Sequence, residues 1–465
     1  MEGLVLIIKI AGAGAGKTTS MAQKIVEKRN ELAPDKIIYC ITYTNTAADR
    51  ISSVLKERFG VIPQNIKVST IHSFLYSELI SPYYFLLFGK QYVATSNIVL
   101  NKNPVYSAYK IAELEKKSIL HVSVFSERAK WVISKKTKDS QARKTKRGII
   151  LKKFKKYCGE IFIDESQDMD KDMVEIVTVL NELSIPLELV GDPKQDLRGF
   201  GSLRKISSTF PDNIHYINNC HRCPEKHLSL SNLLVSNSEK QISGKMGGRL
   251  EIYFESETNI QSFVNTKKFD LMYIAAKNDR YETSKERQNN IQIKNLFFEV
   301  HELLLNYDET KKQSEISIKR DAYFYTIELL KRYHETDNLY ASLNFLTDQF
   351  SDMGKQTFAK IRDALKIDSV DEKNKLIVSS IDSIKGQEGE NCLFILTTDL
   401  APYFFGDKTT DNKTKNRLYV ALTRSLNKLT ILISKEVEDQ YPKNIIVDYL
   451  VENNLTSLFD NISLI

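Results

Sequence analysis

The chain has 465 residues, of which 42% are hydrophobic and 27% charged, so it can form about two to four domains with their own cores, and wholesale disorder is excluded. Its 66 Lys and Arg exceed its 59 Asp and Glu, and the net charge of +7 permits an acidic partner without requiring one. Five scattered cysteines argue against a disulfide scaffold and favour the reducing cytoplasm, and no run is long and apolar enough to predict a membrane span.

The first predicted element is a buried strand over the apolar run 4–8, which is followed by Lys9, a glycine-rich loop and then a predicted helix over 18–29. The loop has the phosphate-loop pattern G-x-x-x-x-G-K-[ST], with Ala11 at the first glycine position. Amides at a helix start bind phosphate, Lys17 would reach the β and γ phosphates, and the Thr18 hydroxyl would bind Mg²⁺. A glycine-rich turn without a ligand is the disfavoured alternative. The predicted nucleotide site comprises Ala11, Gly12, Ala13, Gly14, Ala15, Gly16, Lys17, Thr18 and Thr19.

Two further predicted strands end in polar side chains. The apolar run 161–163 is followed by Asp164, placed to hold Mg²⁺, and by Glu165, placed to deprotonate the attacking water. The run 187–190 leads to Gln195, whose amide can sense the γ-phosphate. Because ligands of open α/β sheets bind at the carboxyl ends of the strands, these side chains are expected to meet the phosphate loop.

The order of motifs along the chain resembles that of superfamily 1 helicases of the UvrD/PcrA/Rep type. The matching segments are TYTNTAA at 42–48, STIHSF at 69–74, DESQD at 164–168, GDPKQDLRGF at 191–200, HR at 221–222, SIDSIKGQE at 380–388 and YVALTR at 419–424. With the phosphate loop, they extend over almost the whole chain.

The resemblance implies an α/β fold of two RecA-like P-loop domains with parallel sheets, each carrying a mostly helical insertion. ATP and Mg²⁺ would bind in the cleft, with Arg222 and Arg424 as arginine fingers, His221 against the adenine and Glu388 on the ribose. Tyr43 and Phe200 would stack on bases, and Thr70 and His72 would bind phosphates. The full set of implied nucleic-acid contacts is Tyr43, Thr44, Asn45, Thr70, His72, Phe200 and Lys385.

Several positions depart from the helicase pattern. No Gln lies in the ten residues before Ala11, where the family places an adenine-reading Gln further upstream, so strict ATP selectivity is less secure. Phe200 and Gly201 replace the Trp-Arg pair of the third motif. Asp382 stands where the family has His, and a carboxylate beside a strand phosphate is expected to repel it.

The motifs divide the chain into domains at predicted boundaries. The first RecA-like domain is expected at 1–90 and 155–213 with an insertion at 91–154, and the second at 214–285 and 372–465 with a helical insertion at 286–371.

A basic segment lies in the first insertion. Residues 128–156 contain thirteen Lys or Arg and one Asp, a net charge of +12 that leaves −5 for the rest of the chain. Its aromatic neighbours Trp131, Phe154 and Tyr157 suggest a groove that follows a nucleic-acid strand. A solvated helix or a flexible basic loop is the alternative. Separately, Cys220 and Cys223 form a C-x-x-C that could bind zinc with His215 and His227, although a second clean pair is missing.

The resemblance implies an ATP-dependent translocase or helicase acting 3′ to 5′ on single-stranded or tailed duplex DNA. A nucleotide-dependent sensor of DNA ends, which gates a partner nuclease without productive unwinding, is the alternative. A helicase–nuclease fusion is disfavoured because little sequence follows the last motif and no acidic cluster is left over. The chain also resembles the compact helicase subunits of bacterial anti-phage systems of the Gabija type, which implies an OLD-family nuclease as partner.

Overall fold

The computed structural model describes residues 5–135, 138–276, 278, 280–283, 286–307, 310, 313–350, 353–366 and 376–461. Contacts divide the chain into two compact units, the first comprising Met1–Tyr92, Ser123–Tyr281 and Val378–Ile465 and the second Val93–Val122 and Glu282–Ile377. In the described part of the chain, no helix has both the length and the apolar character needed to cross a membrane.

The strands are β1 (Leu6–Ala11), β2 (Ile37–Thr42), β3 (Ile66–Thr70), β4 (Ala94–Ser96), β5 (Ile119–His121), β6 (Cys158–Ile163), β7 (Leu187–Gly191), β8 (Ile214–Ile217), β9 (Asn219–Cys220), β10 (Ile242–Ser243), β11 (Arg249–Phe254), β12 (Leu271–Ile274), β13 (Tyr281–Thr283), β14 (Leu376–Ser380), β15 (Gly389–Leu396) and β16 (Ser425–Ile433).

The helices are α1 (Lys17–Glu31), α2 (Asn45–Phe59), α3 (Ile71–Phe74), α4 (Ser81–Phe88), α5 (Pro104–Lys116), α6 (Phe125–Ile133), α7 (Gln141–Tyr157), α8 (Lys171–Glu182), α9 (Ser202–Thr209), α10 (Glu225–Ser231), α11 (Ile260–Lys267), α12 (Glu286–Asn306), α13 (Glu315–Thr336), α14 (Leu339–Gln349), α15 (Lys355–Leu365), α16 (Ala401–Phe404), α17 (Lys413–Leu422), α18 (Lys435–Gln440) and α19 (Lys443–Glu452).

The first unit contains two six-stranded sheets. One has the order β3-β2-β6-β7-β1-β8, and the other β11-β16-β15-β12-β14-β13. The described pairings within both sheets are parallel, from β1 with β7 to β15 with β16. Strand β6 is buried along its whole length, as expected when helices cover both faces of a parallel sheet. The predicted α/β class with two RecA-like sheets is confirmed.

The second unit is mostly helical. Helices α12, α13, α14 and α15 pack around Leu296, Leu329, Leu343 and Ile361, all fully buried. The spacing of Val300, Leu303 and Leu304 is therefore a core stripe, as the helical periodicity of this segment predicts. A short parallel pair, β4 with β5, belongs to the same unit.

The predicted insertion over 91–154 does not form a unit of its own. Its part Val93–Val122 groups with Glu282–Ile377, whereas the basic segment belongs to the first unit. The boundaries between the two predicted RecA-like domains stay a prediction, since both sheets lie in one compact unit. The predicted boundary at 371–372, Leu4 of the predicted first strand, and Lys136 and Thr137 of the basic segment lie outside the described residues.

The three aromatic side chains of the basic segment all make contacts within the protein, but only Phe154 is buried, while Trp131 and Tyr157 are half-buried. The prediction that these side chains face a strand is therefore corrected for Phe154. Phe154 of α7 is fully buried and stacks on Tyr39 with ring centroids 6.2 Å apart. The Tyr157 hydroxyl is 3.0 Å from that of Tyr83. The Trp131 ring lies 4.1 Å from the Arg128 guanidinium, so it too is engaged within the protein. The lysines of α7, which carry much of the charge of the predicted groove, face outward.

Candidate functional site

The motif residues of the first sheet lie at the carboxyl ends of its strands. The phosphate loop follows β1, Asp164 follows β6 and Asp192 follows β7, while Tyr43 follows β2 and His72 lies just beyond β3. Because the strands are parallel, all these ends lie along one edge of the sheet. The nucleotide motifs therefore lie at one part of this edge, which we call the nucleotide side. The predicted nucleic-acid contacts lie at the neighbouring part, which we call the strand side.

The phosphate loop has the backbone shape that its glycines predict. Gly14 and Gly16 have φ angles of 68° and 73°, in the left-handed region that favours glycine. Helix α1 begins at Lys17, whose ammonium group donates to the carbonyls of Ala11 at 3.2 Å and Gly12 at 3.1 Å. The predicted lysine is thus anchored directly over the loop.

Residues from beyond the first sheet contact the same loop. The Ala13 amide donates to the Tyr419 hydroxyl at 3.3 Å, and the Gln241 amide nitrogen donates to the Ala13 carbonyl at 3.0 Å. The Tyr419 hydroxyl in turn donates to Gln241 Oε1 at 2.9 Å. A side chain at Gly12 would collide with Gln241, since an added Cβ would lie 2.2 Å from its side chain. Gln241 belongs to no recognised motif, so its contact with the loop was not predictable from the sequence.

The first carboxylate after β6 lies next to the phosphate-loop threonine. The Thr18 hydroxyl donates to Asp164 Oδ2 at 3.1 Å, and Asp164 Oδ1 accepts from the Glu165 amide at 2.9 Å. Burial raises the pKa of Asp164, and the neighbouring Glu165 charge raises it further. A hydroxyl and a carboxylate side by side are hard oxygen donors of the type that Mg²⁺ prefers, so the residues fit this ion.

Glu165 occupies a strained position with φ 54°, in the left-handed region. Burial alone would raise the pKa of Glu165, but the charges of Lys17 and Lys385 outweigh it, so the pKa lies below its usual value. The Gln167 amide also donates to its carboxylate. Glu165 is therefore held as a carboxylate, the form that a general base requires.

A chain of hydrogen bonds joins this base to the next strand end. Gln167 Oε1 accepts from the Asp192 amide at 2.9 Å, and Gln195 donates to Asp192 Oδ2 at 2.8 Å. All three side chains are buried. Gln195 thus lies on the nucleotide side, connected to Glu165 through two intermediate residues, and its role as a phosphate sensor stays a prediction.

The two predicted arginine fingers have different surroundings. Arg222 pairs with Glu388 at 2.7 Å, so the predicted finger and the predicted ribose contact are held together. Arg424 is fully buried and donates to the carbonyls of Val420 at 2.9 Å and Gln387 at 3.4 Å. Burial and the nearby Arg222 charge lower the pKa of Arg424 to about 10. Arg424 is thus held by backbone carbonyls, and its role as an arginine finger stays a prediction.

His221 approaches the loop through its backbone. Its amide donates to the Gly14 carbonyl at 2.9 Å, and its ring is exposed. The neighbouring thiols do not form a metal cluster: Cys220 donates to the Ala13 carbonyl at 3.1 Å and Cys223 to the Thr423 carbonyl at 3.5 Å. No group of three or more His, Cys, Asp or Glu is arranged to hold a metal ion among the residues that the structure describes.

Arg198 lies among three of the predicted strand contacts. Its guanidinium is 6.0 Å from the Phe200 ring, and Phe200 is 47% exposed. Partial burial and the Arg198 charge lower the pKa of His72. Burial raises the pKa of Tyr43, and the Arg198 charge partly opposes this increase. The predicted contacts Tyr43, His72 and Phe200 are therefore brought together, around an arginine that the sequence analysis did not single out.

Other predicted strand contacts have structural roles at helix starts. Thr44 caps α2 by accepting from the Ala47 amide at 3.2 Å, and Asn45 is the exposed first residue of that helix. Thr70 caps α3 by accepting from the Ser73 amide at 3.3 Å. Their contacts with a strand stay predictions.

Lys385 lies on the nucleotide side rather than on the strand side. Its ammonium group is 2.7 Å and 2.8 Å from the two Asp168 carboxylate oxygens and 3.9 Å from Glu165 Oε2. Two carboxylates thus surround the ammonium group, which supplies positive charge beside the candidate base. The predicted contact of Lys385 with nucleic acid stays a prediction.

Comparisons with known proteins agree with this geometry. Residues 2–201 match the family model of the AAA domain. The chain is 31% identical over 251 residues to the Gabija protein GajB of Bacillus cereus (strain VD045), a match that covers 51% of this chain and 48% of GajB. The chain therefore spans about half the length of this curated relative.

Two solved structures of helicases also match. PRRSV helicase and Arterivirus nonstructural protein 10 (helicase) with DNA each align with 92% of this chain, covering 52% and 60% of their own chains. The sequence identities are 10% and 11%, and the TM-scores are 0.35 and 0.37.

Two parallel sheets, with a phosphate loop and a carboxylate pair at strand ends of the first, define a P-loop nucleotide-binding protein with RecA-like sheets. The AAA domain match and the similarity to GajB agree with the class that the motif order predicts. The chain is similar to the AAA domain over residues 2–201, and it resembles GajB over about half of its length.

Proposed function

We propose that the chain hydrolyses ATP with Mg²⁺ at the phosphate loop and uses the energy to move along single-stranded DNA. The observation that carries the proposal is the Thr18 hydroxyl at 3.1 Å from Asp164 Oδ2, directly beside Glu165. A metal-binding pair next to a carboxylate held in its ionised form is the arrangement that nucleotide hydrolysis requires.

Each residue of the nucleotide side has a part in the proposed reaction. Bound Mg²⁺ would neutralise charge on the β and γ phosphates. Thr18 and Asp164 hold that ion, and Lys17 leaves the loop carbonyls to contact the phosphates. Glu165 accepts a proton from the attacking water, and Gln195 senses the γ-phosphate through its bond to Asp192.

The proposed coupling depends on the two arginines. Arg222 would leave Glu388, and Arg424 would leave its carbonyl partners. Both guanidinium groups would then contact the γ-phosphate. Planar cations stabilise charge on the transferring phosphoryl group, so both exchanges are favoured when ATP is bound. Hydrolysis would reverse them, and the repeated cycle would drive movement, 3′ to 5′ as the resemblance implies.

The proposed strand lies over the exposed side of the same sheet edge. Tyr43 and Phe200 stack on bases, and stacking tolerates any base, as a translocase requires. The exposed lysines of α7 supply sequence-independent attraction to backbone phosphates.

A nucleotide-dependent switch that gates a partner is the second candidate. The position of Lys385 favours it, because a cation expected on the strand is held by Asp168 beside the catalytic carboxylates. Such a protein would hydrolyse ATP in response to DNA without separating strands.

A strand-displacement assay on a 3′-tailed duplex, run beside an ATP hydrolysis assay, decides between the two. Wild type is compared with Lys17→Ala and Glu165→Gln. Hydrolysis with displacement, both lost in the variants, supports the translocase. Hydrolysis without displacement favours the switch, and no hydrolysis in the wild type refutes both.

We further propose that the chain acts in anti-phage defence with an OLD-family nuclease. The support is its 31% identity to a Gabija protein, although that match covers 48% of the relative. Affinity purification of the tagged chain from its host tests this. Co-purification of a nuclease supports the proposal, and recovery without any nuclease contradicts it.

A further inference from the structure

The carboxylate that was expected to repel a strand is covered by two cations. Arg417 donates to Asp382 Oδ2 from Nε at 2.8 Å and from Nη2 at 2.7 Å. The Lys413 ammonium lies 3.5 Å from Asp382 Oδ1. The three side chains carry a net charge of +1, so the prediction of a repulsive site at Asp382 is corrected.

Both cations belong to the start of α17, which packs against the loop after β7. Asn416 of this helix donates to the Asp196 carbonyl at 3.0 Å and to the Pro193 carbonyl at 3.4 Å. An added Cβ at Gly199 would lie 4.0 Å from the Lys413 Cβ. The cation cluster, formed by Lys413 and Arg417 around Asp382, therefore borders the loop at Gly199. The residue after Gly199 is the exposed Phe200.

The side chains of the cluster can be reached by a ligand. The side chains of Lys413, Asp382 and Arg417 are 42%, 31% and 26% exposed. Arg198, on the adjoining loop, adds a further positive charge beside Phe200. Exposed cations next to a base-stacking ring form the usual combination in single-strand binding grooves.

We propose that Lys413 and Arg417 bind a backbone phosphate of the strand beside Phe200, and that Asp382 orients them. This inference rests on the proposed function, which places a strand across Phe200. The carboxylate fixes one edge of the Arg417 guanidinium, and a planar guanidinium has five N–H donors, so donors remain for a phosphate. The substitution of His by Asp thus changes how the strand is held without removing the contact.

Strand binding as a function of salt tests the proposal directly. Anisotropy of a labelled oligothymidylate is measured from about 50 to 200 mM salt for wild type and for Lys413→Ala/Arg417→Ala. Loss of this phosphate contact is expected to lower the salt slope by about 0.7, and the double variant to weaken binding roughly 5-fold near 0.1 M salt. The single variant Arg417→Lys keeps the charge, so it should retain part of the affinity that the double variant loses.

Lys415→Ala is the matched control. Lys415 lies on the same helix, but its ammonium group pairs with Asp411 at 2.7 Å and donates to the Thr409 carbonyl. Its removal should leave the salt slope unchanged. Thermal unfolding of every variant is compared with wild type, so that a loss of binding is not mistaken for a loss of folding.

A second arm examines the orienting role of Asp382. In the Lys413→Ala/Arg417→Ala background, adding Asp382→Asn should recover affinity, since the uncovered carboxylate would repel the strand. In the wild-type background the same change should not raise affinity.

Either of two results overturns the inference: a double variant with wild-type slope and affinity, or Asp382→Asn raising affinity equally in both backgrounds. Failure of the wild type to bind any strand would instead refute the proposed function, and this inference with it.

Discussion

The two sides of the first sheet edge differ in how their side chains are held. On the nucleotide side, Asp164, Asp192 and Gln195 are at most 4% exposed and hydrogen-bonded, whereas Phe200 on the strand side is 47% exposed. Replacing a buried polar group leaves its partner unsatisfied, but an exposed side chain can change at little cost. The departures from the helicase pattern at Phe200 and Asp382 lie on the exposed side. The chemistry of hydrolysis is thus tightly constrained, and the strand contact is adjustable.

The largest expected effect is the loss of the general base. Glu165→Gln should lower ATP turnover by about 10²- to 10⁴-fold, because an amide cannot accept the proton from the water. Nucleotide affinity should change little, since Lys17 and the loop amides stay in place. Steady-state phosphate release measures the first quantity, and titration of a fluorescent ATP analogue measures the second.

Glu160→Gln is the matched control for that variant. Glu160 is buried within β6, the strand that precedes Glu165. Its turnover should stay near that of the wild type. Equal losses in both variants would show that a carboxylate on β6 matters for folding rather than for catalysis.

The contrast between buried and exposed side chains recurs within α7. Phe154→Ala should lower the free energy of unfolding by about 3–5 kcal/mol, because it removes a fully buried ring that stacks on Tyr39. Ile149→Ala on the same helix, at a side chain 63% exposed, should change it by less than about 0.5 kcal/mol. Chemical denaturation measures both. Similar values for the two variants would contradict the inward orientation of Phe154.

On the strand side, Phe200→Ala should weaken single-strand binding by about 1–3 kcal/mol while leaving ATP affinity unchanged. The control is Tyr216→Ala, since Tyr216 is 46% exposed on the edge strand β8 of the same sheet. Anisotropy with an oligothymidylate measures the difference. The stacking role is refuted if the two variants bind equally well.

The smallest effect per residue is expected on the outer face of α7. Lys152→Gln, Lys153→Gln and Lys156→Gln should each lower the salt slope of strand binding by at most about 0.7, through loss of phosphate contacts. Lys→Arg changes at the same positions keep the charge and should keep the slope. An unchanged slope in the triple glutamine variant would leave α7 as a solvated helix.

The sequence allowed the nucleotide side to be predicted because its signals are local. A strand followed at once by Asp164 and Glu165, or by the phosphate loop, places its side chains at the sheet edge whatever the rest of the chain does. The contacts of Gln241 and Arg417 were not predictable, since they depend on pairs distant in sequence. The ion pair of Lys385 was not predictable for the same reason, since Asp168 lies 217 positions away.

The spacing of residues in the basic segment could have corrected the prediction for Phe154, but the high content of Lys and Arg obscured it. Arg147, Ile150 and Phe154 recur at three- and four-residue intervals and form the buried stripe of α7. The count of charges predicted an exposed surface correctly, but this periodicity indicates that Phe154 lies on the opposite face.

ATP turnover of the wild type, measured with and without saturating oligothymidylate, tests whether the nucleotide side and the strand side are coupled. We expect measurable hydrolysis that rises when the strand is present and is lost in Glu165→Gln. Hydrolysis that does not respond to the strand would contradict the coupling between the two sides of the sheet edge. Absence of hydrolysis under both conditions would contradict the assignment of Thr18, Asp164 and Glu165 as a catalytic site.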